Sequence, residues 1–259
     1  MNLQLQNKVV LITGGTSGIG LSSAETFLQE GAHVMINGRN SERGHQTIQN
    51  IVSTQPEARK RIQYVSGDVA VVSDCRRVVT HTLKQFGGLD IVVNSAGITF
   101  NHQIDDIDET QFDLLMNTNV KGSYFICKYA VEQFRVQGYG SIVNVSSDAG
   151  LQGNKGLSLY CATKGAINIM SKALAVDLAP HNIRVNCVCP GDIHTPMLDA
   201  DLQKENDPEA YLKSLIEPYP IGRLGRAEEV ARVIVFLASE ASPFTTGASW
   251  SVDGGITAY

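Results

Sequence analysis

Lys8-Val9-Val10-Leu11-Ile12-Thr13-Gly14-Gly15-Thr16-Ser17-Gly18-Ile19-Gly20 is the stretch that decides the fold. Val9 to Ile12 are all apolar and mostly β-branched. They lack the alternation of a strand with one wet face, which predicts a strand covered on both sides, as in a parallel sheet. Glycines follow at once, spaced GxxxGxG at Gly14, Gly18 and Gly20. Behind them an amphipathic run over 19–30 stops at Gly31, a suitable helix C-cap. Glycine permits positive φ and close approach of a ligand to the backbone. The first N–H groups of the helix, with its dipole behind them, suit a phosphate. The turn could also be a tight βα connection with no ligand. The strand before it and the helix after it make Gly14, Thr16, Ser17, Gly18, Ile19 and Gly20 candidate phosphate contacts.

The same rhythm continues outward. Short apolar runs predict strands over 8–13, 32–37, 61–66, 89–94, 141–146, 183–189 and 248–252. Amphipathic stretches predict helices over 19–30, 41–54, 73–86, 110–137, 159–178 and 227–237. Strand and helix alternating this often imply an α/β fold: a Rossmann-type doubly wound parallel sheet of seven strands with helices on both faces. No Pro-, Gly- or Ser-rich linker and no repeat divides residues 1–259, so a single domain is expected. The polar stretch 196–223 breaks the rhythm. It reads either as a solvated helical excursion or as a flap over a substrate site, since it follows a strand C-terminus. The helix over 159–178 carries apolar residues on more than one stripe, including Ile167, Ile169, Met170 and Val176, which predicts burial against the sheet and against another subunit.

Composition excludes several classes. With 43% hydrophobic and 18% charged residues the chain is an ordinary globular protein, not a disordered one. A net charge of −5 offers no broad basic footprint for nucleic acid. No apolar run is long enough to span a membrane, and residues 1–10 lack the charged start and apolar stretch of a signal peptide. The five cysteines are scattered, with no CxxC pair and no HExxH among the six histidines. They are expected to be free core thiols in a reducing cytoplasm, with no metal site. Cys187 and Cys189, two apart on a predicted strand, should point to one face.

Two further constellations carry chemistry. The second predicted strand runs into Asn37-Gly38-Arg39-Asn40, and no carboxylate follows until Glu42. A carboxylate near this point would bind the ribose 2′-hydroxyl of NAD, whereas Arg39 offers a fork of donors to a 2′-phosphate. NADP is therefore the expected cofactor, with NAD as the alternative. Tyr160 and Lys164 stand four apart in a predicted helix and share a face. A free tyrosine titrates near ~10, and an adjacent lysine cation would stabilise its phenolate, making it an acid–base group for a carbonyl or an alcohol. Ser146-Ser147 closes the preceding predicted strand nearby.

The chain resembles the short-chain dehydrogenase/reductase family in its NAD(P)-dependent form. The motifs are TGGTSGIG at 13–20, GDV at 67–69, NSAG at 94–97, NTNVKG around Asn119, the serine pair at 146–147, YCATK at 160–164, PGDIHTP at 190–196 and DGG at 253–255. The resemblance implies Tyr160 as the catalytic acid–base and Lys164 as the group that lowers its pKa and holds the nicotinamide ribose. It implies Ser147 on the substrate oxygen, and Asn119 as the organiser of a proton-relay water. It also implies Asp68 and Val69 on the adenine, Asn94, Ala96 and Gly97 along the cofactor edge, and Pro190, Ile193 and Thr195 around the nicotinamide. The chemistry is then hydride transfer between nicotinamide and a secondary alcohol or ketone, in a homotetramer. Ser95 and Ser17 depart from the usual pattern, the latter standing where NADP-preferring members often carry a base. His102, Leu151, Gln152, Asn154 and His194 are expected near the pocket mouth, suiting a small polyol, sugar or hydroxyketone. The competing readings are a 3-oxoacyl thioester reductase and a non-catalytic NADP sensor.

Overall fold

The computed structural model describes residues 2–258. Seven parallel strands form the sheet: β1 (Val9–Thr13), β2 (His33–Gly38), β3 (Ile62–Ser66), β4 (Ile91–Asn94), β5 (Gly140–Val145), β6 (Ile183–Pro190) and β7 (Ser249–Val252). Their spatial order is β3-β2-β1-β4-β5-β6-β7. Leu11 lies opposite Met35 on one side and Val92 on the other. The chain winds outward in both directions from β1 and β4, so the crevice beyond their C-terminal ends is the switch point where such sheets bind ligands.

The helices are α1 (Gly18–Gln29), α2 (Ser41–Thr54), α3 (Val72–Phe86), α4 (Glu109–Leu115), α5 (Gly122–Gln137), α6 (Ser158–Leu178), α7 (Pro196–Leu202), α8 (Pro208–Ile216) and α9 (Ala227–Ala238). They cover both faces of the sheet. Val10, Ile12, Val34 and Ile36 pack with Phe27 of α1, Ile51 of α2 and Ile234 of α9. Leu11, Met35 and Val92 point the other way, onto Val78 of α3, Phe134 of α5 and Leu178 of α6. Successive residues of one strand thus enter opposite cores, which is why β1 reads as an unbroken apolar run. Each fully buried side chain of this size contributes about 1.5–3 kcal/mol.

Sequence signals set several boundaries. Asn40 caps α2 by accepting the Arg43 N–H at 2.9 Å. Asp108 and Gln111 form a reciprocal capping box at the start of α4. The helix expected over 110–137 is not continuous. A π-helical turn, Met116–Lys121, separates α4 from α5 and carries Asn119. Asn119 closes a pair of hydrogen bonds with the backbone of Ile98, and the wide turn holds it there.

The stretch 196–223 contains α7 and α8, and behind it Gly225–Arg226 pairs in parallel with Ile193–His194. On the outer face of α6, Ile169 is 66% and Val176 76% exposed. The five cysteines are unpaired, and Cys187 and Cys189 share a face against Ile167. Cys161 departs from the expected core thiols: it is half-buried on α6, and the Asn154 N–H points to its sulfur at 3.4 Å.

Candidate active site

The glycine turn is built around its neighbours. Gly14 has φ +65°, and a Cβ there would stand 2.8 Å from both N and Cα of Ala96. The strand–turn–helix can close against the β4 loop only with glycine at that position. Thr13 Oγ1 accepts the Ala96 N–H at 3.2 Å and ties the two loops together. Ser17, the residue before α1, spends no side-chain oxygen on capping, so no side chain competes for the first amides of the helix. Gly18, at φ +52°, faces Thr195 across a gap, its nearest would-be Cβ contact being Thr195 Cγ2 at 3.3 Å. Bare amides at a helix N-terminus, with open space in front of them, fit the pyrophosphate of a dinucleotide.

Further along the same edge, Arg39 is exposed just past β2, with no acidic ion-pair partner among the described residues. Asn37 Nδ2 donates to the carbonyls of Val65 and Gly67 at 3.1 Å each, which pins the β3 loop beside β2. Asp68 follows, its N–H donating to Asp74 Oδ2 at 2.9 Å and its Oδ1 accepting the Ala70 N–H at 2.9 Å. Val69 is buried against the start of α5.

Ser147, Tyr160 and Lys164 come together where β5 ends and α6 begins. Ser146 Oγ donates to the Lys164 carbonyl at 3.0 Å, clamping the helix to the strand. Lys164 Nζ donates to the Val145 carbonyl at 2.9 Å and lies 5.5 Å from the centroid of the Tyr160 ring. Ser147 Oγ donates to Asp148 Oδ1 at 2.7 Å and accepts the Ala149 N–H at 3.2 Å. Asp148 Oδ2 accepts Asn154 Nδ2 at 3.2 Å.

These residues line a cleft of about 990 Å³. One wall holds Gly14, Ser17, Gly18, Ile19, Ala96 and Gly97; Ser147, Tyr160, Lys164, Pro190, Ile193 and Thr195 face into the same space. A Cβ on Gly97 would come within 3.6 Å of Lys164 Nζ, so the glycine leaves room in front of the lysine. Met197 and Leu198 of α7, with Tyr211, Leu215 and Pro218 of α8 and its exit, line the outer side. A second hollow of about 660 Å³, around Asp90 and Tyr139, contains none of the candidate catalytic residues.

Several expected site residues do not present their side chains to the cleft. Asn94 does not present its side chain to the cleft: it is buried, and its Nδ2 donates to Asn144 Oδ1 at 2.9 Å. Its role is to brace β4 against β5. Asn119 is also buried, with its amide held by Ile98 and by Thr163 Oγ1. Of the five residues expected at the pocket mouth, only Asn154 lines the cleft. His194 is exposed and pairs with Asp199 at 3.1 Å. Sequence reasoning missed Asp148 and Asp192, both of which line the cleft. Their carboxylates stand beside recognised motif residues, and that adjacency was the available signal.

Burial dominates the electrostatics of the Tyr160–Lys164 pair. Burial pushes the Tyr160 phenol up, with the charges of Asp148 and Asp192 adding to it and a hydrogen bond to Ser147 opposing it. The Lys164 ammonium is held 2.9 Å from the Val145 carbonyl and 5.5 Å from the centroid of the Tyr160 ring. Burial lowers Lys164 itself to about 8. Asp192 shows much of its surface to the open cleft, yet its carboxyl is still pushed up, first by desolvation and then by Asp148.

Among the described residues no helix is long and apolar enough to cross a membrane, and no group of three or more His, Cys, Asp or Glu could hold a metal ion. The family model described as enoyl-(acyl carrier protein) reductase, of the short-chain alcohol dehydrogenase type, matches residues 14–257. The chain is 43% identical to an uncharacterised oxidoreductase of Thermotoga maritima, over 99% of this chain and 100% of the relative. It is 36% identical to an NADP-dependent (R)-specific alcohol dehydrogenase of Lentilactobacillus kefiri, over 100% of both chains. It resembles the solved structure of ElxO with NADP bound at a TM-score of 0.90 and 35% identity, over 98% of this chain and 100% of that one. A Rossmann-type fold, a glycine turn at the switch point, a Tyr–Lys pair beside a serine and relatives matched over their whole length lead to one conclusion: the chain belongs to the short-chain dehydrogenase/reductase family of oxidoreductases.

Proposed function

We propose that this protein moves a hydride between NADP(H) and the carbinol or carbonyl carbon of a small secondary alcohol or ketone, with Tyr160 as the acid–base. The observation that carries the reading is the convergence of Ser147, Tyr160 and Lys164 on one cleft whose opposite wall is the glycine turn. When bound, the dinucleotide supplies or accepts the hydride. The bare amides of α1 would hold its pyrophosphate, and Arg39, free of an acidic partner, would meet the 2′-phosphate. NADP dependence of the L. kefiri relative and the NADP bound to ElxO support that choice.

In reduction the phenol of Tyr160 gives its proton to the carbonyl oxygen, and in oxidation it takes one from the hydroxyl. Ser147 orients that oxygen, and the Lys164 ammonium attracts the phenolate as it forms. Burial keeps Tyr160 protonated at rest, the form that reduction requires. Asp148, Asn154 and Asp192 give the cleft hydrogen-bonding groups that suit a polyol, sugar or hydroxyketone. The stretch 196–223 acts as a flap, since α7 and α8 contribute the outer wall. The exposed Ile169 and Val176 suit a subunit contact within a homotetramer, and the unpaired thiols suit a reducing cytoplasm.

The test follows NADPH absorbance with a panel of hydroxyketones, ketoses and 3-oxoacyl thioesters. Turnover of the small ketones is expected. Tyr160→Phe should lose about 10²–10⁴ in rate while still binding NADPH. Turnover of thioesters alone would replace the substrate class. NADPH binding without turnover of anything would make the protein a sensor.

A further inference from the structure

We propose that Tyr219 is a positioning residue that fastens the exit of the 196–223 stretch to the loop between β6 and α7, so that this flap and the cleft wall over 190–195 move as one piece. The proposal rests on the reading of the cleft and its flap given above. Tyr219 follows α8 by three residues and is only 5% exposed, between two exposed prolines, Pro218 and Pro220. Prolines on either side stiffen this leg of the chain. The Tyr219 N–H donates to the Ile216 carbonyl at 3.0 Å, and the Tyr219 carbonyl accepts the Gly222 N–H at 2.8 Å. A buried tyrosine needs a partner for its polar end. Tyr219 Oη finds one in the Asp192 N–H, which it accepts at 2.6 Å.

That amide lies where the sheet stops holding the chain. The pairing of β6 with β7 ends at Pro190, and Gly191 makes one further bond, to the Val252 carbonyl. Asp192 comes next, and both of its backbone groups are taken by the exit leg of the flap. Its N–H goes to Tyr219, and its carbonyl accepts the Gly225 N–H at 3.0 Å. Two glycines make room for the tyrosine ring. A Cβ on Gly191 would stand 2.8 Å from Tyr219 Cε1 and 2.9 Å from its Oη. A Cβ on Gly254, at φ +59°, would come within 3.1 Å of Tyr219 Cδ1. The PGD and DGG motifs of the sequence thus meet at one side chain.

The flap is therefore tied to the same loop at both ends. At its entry α7 grows straight out of that loop, and the Thr195 carbonyl accepts the Asp199 N–H at 3.1 Å. At its exit the tie is Tyr219. Pro190, Asp192, Ile193 and Thr195 on the loop and Leu215 on α8 all line the cleft. A shift of α8 toward the cleft would carry the stiff leg, the tyrosine and the Asp192 peptide with it. Of the two exit bonds only the one from Tyr219 uses a side chain, so it can be removed without changing the backbone.

Tyr219→Phe keeps the ring and removes the hydroxyl. In the cofactor-free protein, hydrogen–deuterium exchange over 190–195 and over 208–218 should speed up together, each by up to about 10-fold, the worth of one hydrogen bond. NADPH should slow exchange over both segments in the wild type, but over 190–195 alone in Tyr219→Phe. KM for a small hydroxyketone should rise about 10-fold while kcat stays within about 2-fold, because the wall binds the substrate and moves no proton. Affinity for adenosine 2′,5′-bisphosphate, which lacks the nicotinamide, should be unchanged, showing that the glycine turn is intact. Gly191→Ala, which pushes the ring off the loop, should uncouple the two segments in the same way. Faster exchange in only one segment, an undiminished effect of NADPH over 208–218 in Tyr219→Phe, or an unchanged KM would overturn the proposal. A wild-type protein that turns over no alcohol or ketone would instead overturn the proposed function, and the exchange of the cofactor-free proteins would still decide the role of Tyr219.

Discussion

Replacing Lys164 with methionine should make the cofactor-free protein more stable at neutral pH while disabling it. Lys164 is 6% exposed, and burial lowers its ammonium from 10.5 to about 8. At 1.36 kcal/mol per pH unit, that displacement means the charged lysine costs the fold about 3 kcal/mol. Methionine removes the charge and fills most of the same channel. It also strips the Val145 carbonyl of the 2.9 Å hydrogen bond from Nζ, which costs about 1 kcal/mol. The net gain is about 2 kcal/mol, or about 4–8 °C in Tm for a chain of this size.

The sign with pH follows from the lowered value. Below pH 8 lysine is charged both folded and unfolded, and the full cost is present. Between about 8 and 10.5 the unfolded chain binds the extra proton, so wild-type stability rises with pH relative to the variant. The advantage of Lys164→Met should therefore shrink over that window and reverse near pH 10.5, where only the lost hydrogen bond remains. Urea unfolding of both proteins at pH 7, 8, 9 and 10 measures it. A variant no more stable than wild type at pH 7, or an advantage constant to pH 10, would refute the argument.

Two further outcomes can be checked. Arg39→Ala should lower the kcat/KM preference for NADPH over NADH by about 10–100-fold, the worth of a charge-assisted hydrogen bond, and an unchanged ratio would remove Arg39 from the cofactor site. Arg184, half-buried on β6, donates to the carbonyls of Leu237 at 2.6 Å, Ala238 at 3.1 Å and Ser239 at 2.9 Å at the end of α9. Arg184→Leu orphans these acceptors and should cost about 3 kcal/mol or more in denaturant unfolding; a loss below about 1 kcal/mol would contradict that accounting.

The parts legible in the sequence are those fixed by short-range patterns. The Val9–Ile12 run, the glycines behind it and the Asn40 cap of α2 each state their local conformation, and the sheet follows from repetition. Ser147, Tyr160 and Lys164 could be placed because strand end and helix start bring them together. What stayed hidden depends on partners distant in the chain. Asn94 carries the same side chain whether it faces a ligand or Asn144, and only the pairing of β4 with β5 turns it inward. The π turn at Asn119 answers to the backbone of Ile98, which no periodicity of the helix reveals. The pairing of Ile193–His194 with Gly225–Arg226 is too short to leave an alternation. Asp148 is marked in the sequence only by its place beside Ser147, and its 2.7 Å contact with that serine shows in the fold alone.

The sheet has a consequence for synthesis on the ribosome. β6 pairs on one side with β5, already made, and on the other with β7, which follows only after α7, α8 and α9. Gly191, on the loop that floors the cleft, donates its N–H to Val252 of that late strand at 3.2 Å. Until β7 leaves the exit tunnel, the nascent chain carries an open β6 edge beside an unfinished cleft. The Arg184 clasp, which gathers the end of α9, is completed by Ser242 and Thr245 only just before β7 appears. Translation order therefore makes the cleft the last part of the molecule to close, and a stall between α9 and β7 would leave a nearly complete sheet with its edge exposed to other chains.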